Sequence, residues 1–129
     1  MSAPRRVLVV DDESTIRRAC ERILGEAGIE AGTAQRGEEA LVALRSGGVD
    51  AVVLDLKMPG MGGMETLRRI RAEWPRLPVV VITGYATGGT KGECVEEGRV
   101  VWLPKPFDPD QLLAALAEAA DSGQEEAPR

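Results

Sequence analysis

The chain has 129 residues and not one histidine. Without imidazole there is no Ser-His-Asp triad, no Cys-His pair and no histidine-ligated zinc, which excludes the commonest hydrolase designs. Chemistry in this sequence must run on carboxylates, hydroxyls and lysine. Cysteine is almost as scarce: Cys20 and Cys94 stand far apart without metal-type spacing and read as reduced thiols, not as a disulfide. No apolar run approaches the roughly 20 residues of a membrane helix, and Met1 to Arg6 lacks the apolar stretch of a secretory signal. A cytoplasmic protein without membrane contact is expected. An excess of positive charge is missing too: the formal net charge is -5 and the basic residues are scattered, which argues against nucleic-acid binding by this chain alone.

What remains is an ordinary composition, 43% hydrophobic and 29% charged, that supports one packed core at this length. Four apolar runs stand out: Val7-Leu8-Val9-Val10, Ala51-Val52-Val53-Leu54, Val79-Val80-Val81-Ile82 and Val100-Val101-Trp102-Leu103. They are continuous and rich in β-branched residues, as strands buried on both faces are. A less apolar stretch over 29–34 fits an edge strand. Between them lie helical patterns. Ile16, Cys20, Ile23, Leu24 and Ala27 follow a Ser14 cap and stop at Gly28; Ala40, Leu41 and Leu44 stop at Gly47-Gly48; Met64, Leu67 and Ile70 stop before Pro75. Asp108-Pro109-Asp110-Gln111 announces a last helix with a capping box and a buried stripe of Leu112, Leu113, Leu116 and Ala120. Strand and helix alternate, so right-handed crossovers predict a three-layer α/β sandwich on a parallel five-stranded sheet. Residues 1–121 form the domain, and 122–129 read as a disordered acidic tail.

In open parallel sheets, ligands bind beyond the carboxyl ends of the strands. Strand one is followed by Asp11-Asp12, strand three by Asp55, strand four by Thr83 and the fifth by Lys105. Any one of these alone is an ordinary cap, turn former or solvated charge. All five at one edge are not. Three carboxylates so close raise one another's pKa unless a cation sits among them, and a divalent oxygen-seeking ion, magnesium, resolves the conflict. Lys105 and Thr83 are suited to neutralise the oxygens of a phosphoryl group.

These residues resemble the receiver domains of two-component response regulators. The likeness lies in Val9-Val10-Asp11-Asp12-Glu13, Leu54-Asp55-Leu56-Lys57-Met58-Pro59-Gly60, Ile82-Thr83-Gly84 and Leu103-Pro104-Lys105-Pro106-Phe107, and it spans about residues 5–120. The resemblance implies a flavodoxin-like (βα)5 fold with sheet order 2-1-3-4-5. It implies a phosphorelay switch in which Asp55 accepts a phosphoryl group from a phosphohistidine. Asp12, Asp55 and the Lys57 carbonyl would ligate Mg2+, with Asp11 acting through a metal-bound water, while Lys105 and Thr83 contact the phosphoryl oxygens. The partner would be a sensor histidine kinase or a histidine phosphotransfer protein, since this chain has no histidine of its own. The domain would catalyse only its own phosphorylation and autodephosphorylation. The downstream effector is unknown, and stand-alone receiver, piece of a longer regulator and homodimer all stay open. A cis Lys105-Pro106 bond is also implied.

Three features depart from the common pattern. Trp102 stands where the family carries a Tyr or Phe that swings inward with Thr83, and an indole is larger and needs a partner for its N–H. Lys57 and Tyr85, two residues after Asp55 and Thr83, flank the approach to the phosphoryl group, and with their neighbours resemble nitrogen-regulatory-type receivers. Gly88, Gly89 and Gly92 cost a helix roughly 3 kcal/mol against alanine, so the fourth helix of the family is expected to be short or mobile here. Two other readings are weaker. A receiver that has lost phosphate acceptance does not fit the full set of Asp11, Asp12, Asp55, Thr83 and Lys105. An aspartate-nucleophile phosphatase needs a second carboxylate where Lys57 stands.

Overall fold

The computed structural model describes residues 4–57, 61–84 and 100–126, with 121–126 by backbone alone. Five strands, β1 (Arg6–Val10), β2 (Glu30–Ala34), β3 (Ala51–Asp55), β4 (Val79–Thr83) and β5 (Val100–Pro104), form one sheet. The sheet order is β2-β1-β3-β4-β5 and each neighbouring pair is parallel. Four helices are described: α1 (Ser14–Glu26), α2 (Gly37–Arg45), α3 (Gly63–Glu73) and the C-terminal α4 (Pro109–Glu126). This is the expected flavodoxin-like sandwich. The helix expected between β4 and β5 lies outside the described residues.

The two faces of the sheet explain the continuous apolar runs. Val7, Val9, Val53, Val80 and Ile82 pack toward α1 and α4 with Cys20, Leu24, Leu112 and Leu116. Their neighbours Leu8, Val10, Val52, Leu54, Val79 and Val81 pack toward α2 and α3 with Leu41, Leu44, Leu67 and Ile70. Strands covered on both sides cannot alternate polar with apolar residues. Cys20 is fully buried, and burial pushes its thiol up to about 12, so it behaves as a small hydrophobe.

Register sets the level of the functional residues. Val10 pairs with Leu54, so Asp11 comes level with Asp55 at the carboxyl edge. Asp55 in turn pairs with Ile82, which puts Thr83 one step beyond it, and Thr83 pairs with Pro104, so Lys105 follows directly.

Several elements differ from their sequence-based expectation. Ser14 is the first residue of α1 and Glu13 holds the N-cap position without a side-chain capping bond. At the sheet edge β5 is only half-buried, unlike β3 and β4, because an edge strand has one neighbour fewer to cover it. The buried stripe of α4 is Leu112, Ala115, Leu116 and Ala119, at spacings of three and four, while Leu113 and Ala120 are half-buried. Helical backbone continues to Glu126, so 122–126 of the expected tail carry on the helix; Gln124, Glu125 and Glu126 are good helix formers and no proline intervenes. None of the described helices is long and apolar enough to cross a membrane.

Candidate functional site

Each side chain at the carboxyl edge is fixed by the strand it ends. Asp11 is fully buried, its N–H donates to the Ala34 carbonyl (3.1 Å) and its own carbonyl accepts from the Arg17 guanidinium (2.7 Å). Its Oδ1 accepts from the Glu13 N–H at 2.9 Å, whereas the buried Oδ2 accepts no hydrogen bond from the described residues. Asp55 is 2% exposed, and its Oδ1 accepts from the Lys57 N–H at 3.2 Å. Lys105 Nζ lies 3.6 Å from Asp11 Oδ2 and 3.6 Å from Asp55 Oδ2. The Lys105 N–H donates to the Thr83 carbonyl at 2.9 Å, so the β5 exit is pinned to the end of β4. The Lys105-Pro106 bond is cis, as the resemblance implies.

Of the residues singled out in the sequence, the structure brings Asp11, Asp12 and Asp55 together, with one carboxylate oxygen from each within 4.8 Å of the others. Asp12 is exposed where the other two are buried. Thr83 is buried at 3% exposure at the end of β4. A cleft of about 290 Å³ opens here, lined by Asp12, Glu13, Asp55, Lys57, Gly84 and Lys105. Trp102 sits away from this cleft, half-buried on β5 against the α2–α3 side of the core, and its buried indole N–H has no partner among the described residues. Tyr85 lies outside the described residues.

The electrostatics follow from the geometry. Burial, with the charge of Asp55 added, pushes the Asp11 carboxyl up to about 7 against the pull of the Glu13 N–H and of Lys105. Asp55 is raised for the same first reason, and the Lys57 N–H and Lys105 hold it back. Burial works against the Lys105 ammonium, yet Asp11, Asp55 and Glu13 together keep its pKa above the ordinary value. A pocket that holds two buried acids above their ordinary pKa despite a lysine among them is short of positive charge. The all-oxygen donor set and the unpartnered Asp11 Oδ2 suit a hard divalent cation.

Two residues of the site carried no assigned role in the sequence. Glu13 Oε1 accepts from Lys105 Nζ at 3.2 Å, a contact across 92 positions that no local pattern encodes. Gly63, the first residue of α3, packs directly on the backbone that follows Asp55. A Cβ there would lie 2.6 Å from the Asp55 carbonyl oxygen and 2.7 Å from that of Leu56.

The chain is similar to known proteins over most of its length. The family model of the response regulator receiver domain matches residues 7–117. The DNA-binding transcriptional regulator NtrC of Salmonella typhimurium is 38% identical over 120 residues, which is 93% of this chain and 26% of that protein. The response regulator MprA of Mycolicibacterium vanbaalenii is 38% identical over 113 residues, 88% of this chain and 49% of that protein. The chain thus spans about a quarter to a half of the length of these relatives. Among solved structures, NtrX from Brucella abortus superposes with a TM-score of 0.88 at 31% identity, over 98% of this chain and 29% of that one. The chemotaxis protein CheY4 of Vibrio cholerae superposes with a TM-score of 0.85 at 34% identity, over 91% of this chain and 99% of that one. By the matched model, by NtrC-type relatives and by a fold shared with CheY4, the chain belongs to the receiver domains of two-component response regulators.

Proposed function

We propose that this receiver accepts a phosphoryl group on Asp55 from the phosphohistidine of a sensor kinase or phosphotransfer protein, and passes the change to a downstream partner. The observation that carries the reading is the placement of Lys105 Nζ, 3.6 Å from both Asp11 and Asp55, on the wall of a cleft that Asp55 also lines. A carboxylate oxygen of Asp55 forms the new O–P bond as the N–P bond of the donor breaks, and the departing imidazole keeps its electron pair and is protonated. The Asp55 nucleophile is anionic once a cation fills the pocket, so it needs no general base. Lys105 neutralises phosphoryl oxygens as charge builds, and the Thr83 hydroxyl is assigned as their second donor. Positioning and neutralisation are enough, since phosphoryl transfer asks for little covalent chemistry from the protein.

Asp11, Asp12 and Asp55, with the Lys57 carbonyl, are the residues we assign to Mg2+. Bound there, the ion supplies charge neutralisation and a template for phosphoryl oxygens. Lys57, on the cleft wall, is assigned to control of water and donor access. Trp102 is assigned to the switch: its buried N–H has no partner among the described residues, so a second rotamer that finds one is favoured by hydrogen bonding.

The test is direct. Incubation with a small phosphodonor and Mg2+ should add one phosphoryl group by intact mass, with no addition to Asp55→Asn or in the presence of a chelator. A wild-type protein that takes up nothing would overturn the reading and leave a binding platform; rapid turnover of donor without accumulation would indicate a phosphatase.

A further inference from the structure

Among the described residues Lys105 has three carboxylate neighbours, and the nearest is not one of the aspartates. Its Nζ is 3.2 Å from Glu13 Oε1 and 3.6 Å from each of Asp11 Oδ2 and Asp55 Oδ2. Of the three, the Glu13 contact is the one that forms a hydrogen bond. Glu13 differs from the other two in freedom as well: its side chain is 57% exposed while theirs are buried. Its backbone is nevertheless tied to the site through the 2.9 Å bond from its N–H to Asp11 Oδ1. At the N-cap of α1 a short polar side chain turns to the helix N–H groups, whereas the longer Glu13 makes no capping bond and reaches the lysine.

From this geometry we infer that Glu13 is a positioning residue, a latch that holds the Lys105 ammonium at the mouth of the cleft until a phosphoryl group on Asp55 takes it over. The inference rests on Asp55 as the acceptor. An ammonium has three N–H donors and no acceptor. A phosphorylated Asp55 brings more negative charge and more acceptor oxygens than the free carboxylate does. The donor engaged by Glu13 is then the one that has to turn. An exposed ion pair of this kind is weak, which suits a latch that orients the lysine yet yields to a stronger anion.

Two variants test the latch. Glu13→Ala removes it, and because the side chain caps nothing, the fold should persist. Phosphorylation by acetyl phosphate with saturating Mg2+ should accelerate about two- to fivefold, the range an exposed ion pair can supply. Glu13→Asp keeps the charge but is one methylene too short, and should accelerate as much as alanine does. A wild-type rate for either variant overturns the latch. In a Lys105→Ala background the Glu13→Ala step should have no further effect; a persisting acceleration would show that Glu13 acts without the lysine. Proton NMR of the unphosphorylated protein gives a readout independent of Asp55. The two ε-methylene protons of Lys105, distinct while tethered, should converge in Glu13→Ala. No change there sinks the latch, whereas convergence without any labelling of the wild type keeps the latch and rejects the acceptor assignment.

Discussion

Asp11 is a buried acid whose pKa is raised, and that shift has a sign that can be measured. Its carboxyl titrates at about 7 in the folded chain against an ordinary 3.8, with burial as the first cause. Between those two values the folded state binds more protons than the unfolded state. Stability of the metal-free protein should therefore fall as pH rises from about 4 to about 7 and then level off, the reverse of ordinary acid denaturation. Asn keeps the volume and the bond from the Glu13 N–H without the charge, so Asp11→Asn should stabilise the metal-free protein at pH 8 by on the order of 1–3 kcal/mol. Chemical denaturation at pH 5 and pH 8 checks both statements, and an unchanged midpoint in the variant at pH 8 would contradict them. Gly63 makes the opposite case, an uncharged position that tolerates nothing. An alanine there collides with the backbone after Asp55, so Gly63→Ala should cost about 1–3 kcal/mol and slow phosphoryl uptake by displacing the nucleophile. Normal uptake at full stability would show that α3 can shift to make room. The aspartates, Thr83 and Lys105 were legible in the sequence because each ends its own strand. Glu13 and Gly63 were not, because their contacts depend on how separate elements meet.

The elements carry their own signals to different depths. Asp108 and Gln111 exchange two hydrogen bonds, Gln111 N–H to Asp108 Oδ1 at 2.8 Å and Asp108 N–H to Gln111 Oε1 at 2.9 Å. This capping box was readable in full, since all its partners lie within four residues. Asp108→Ala should cost about 1 kcal/mol, visible as a lower denaturant midpoint with an unchanged slope; a loss below a few tenths would mean that packing alone holds the start of α4. The start of α1 was misread because Ser14 is a good cap by composition, and nothing local says that Glu13 occupies the cap position while its side chain serves Lys105. The strands β1, β3 and β4 were plain, as only a doubly covered strand is continuously apolar. The same composition in β5 promised a central strand, but the sheet order makes it an edge. Which strand lies at the edge is a property of topology, which the resemblance supplied and hydrophobic pattern did not.

At the scale of the whole molecule, the metal assignment proposed above makes the proton on Asp11 and a divalent cation competitors for one pocket, which would link metal, pH and stability. A cation that binds the folded chain alone stabilises it by about 2.7 kcal/mol at one hundred times its dissociation constant. Binding there requires an ionised Asp11, and its pKa near 7 means that below this pH the ion must first displace a proton. Mg2+ at a fixed concentration should therefore raise the Tm more at pH 8 than at pH 6. Chelation should cost correspondingly more at the higher pH, where the emptied pocket is left with uncompensated negative charge. In Asp11→Asn the part of the competition due to Asp11 disappears, and the Mg2+-induced shift should depend less on pH over that interval even if its size is smaller. Thermal unfolding of both proteins at the two pH values, with and without Mg2+, decides the matter. Equal Mg2+ shifts at pH 6 and pH 8 in the wild type would mean that the ion and the Asp11 proton occupy different places, and the pocket at the carboxyl edge would lose its claim to the metal.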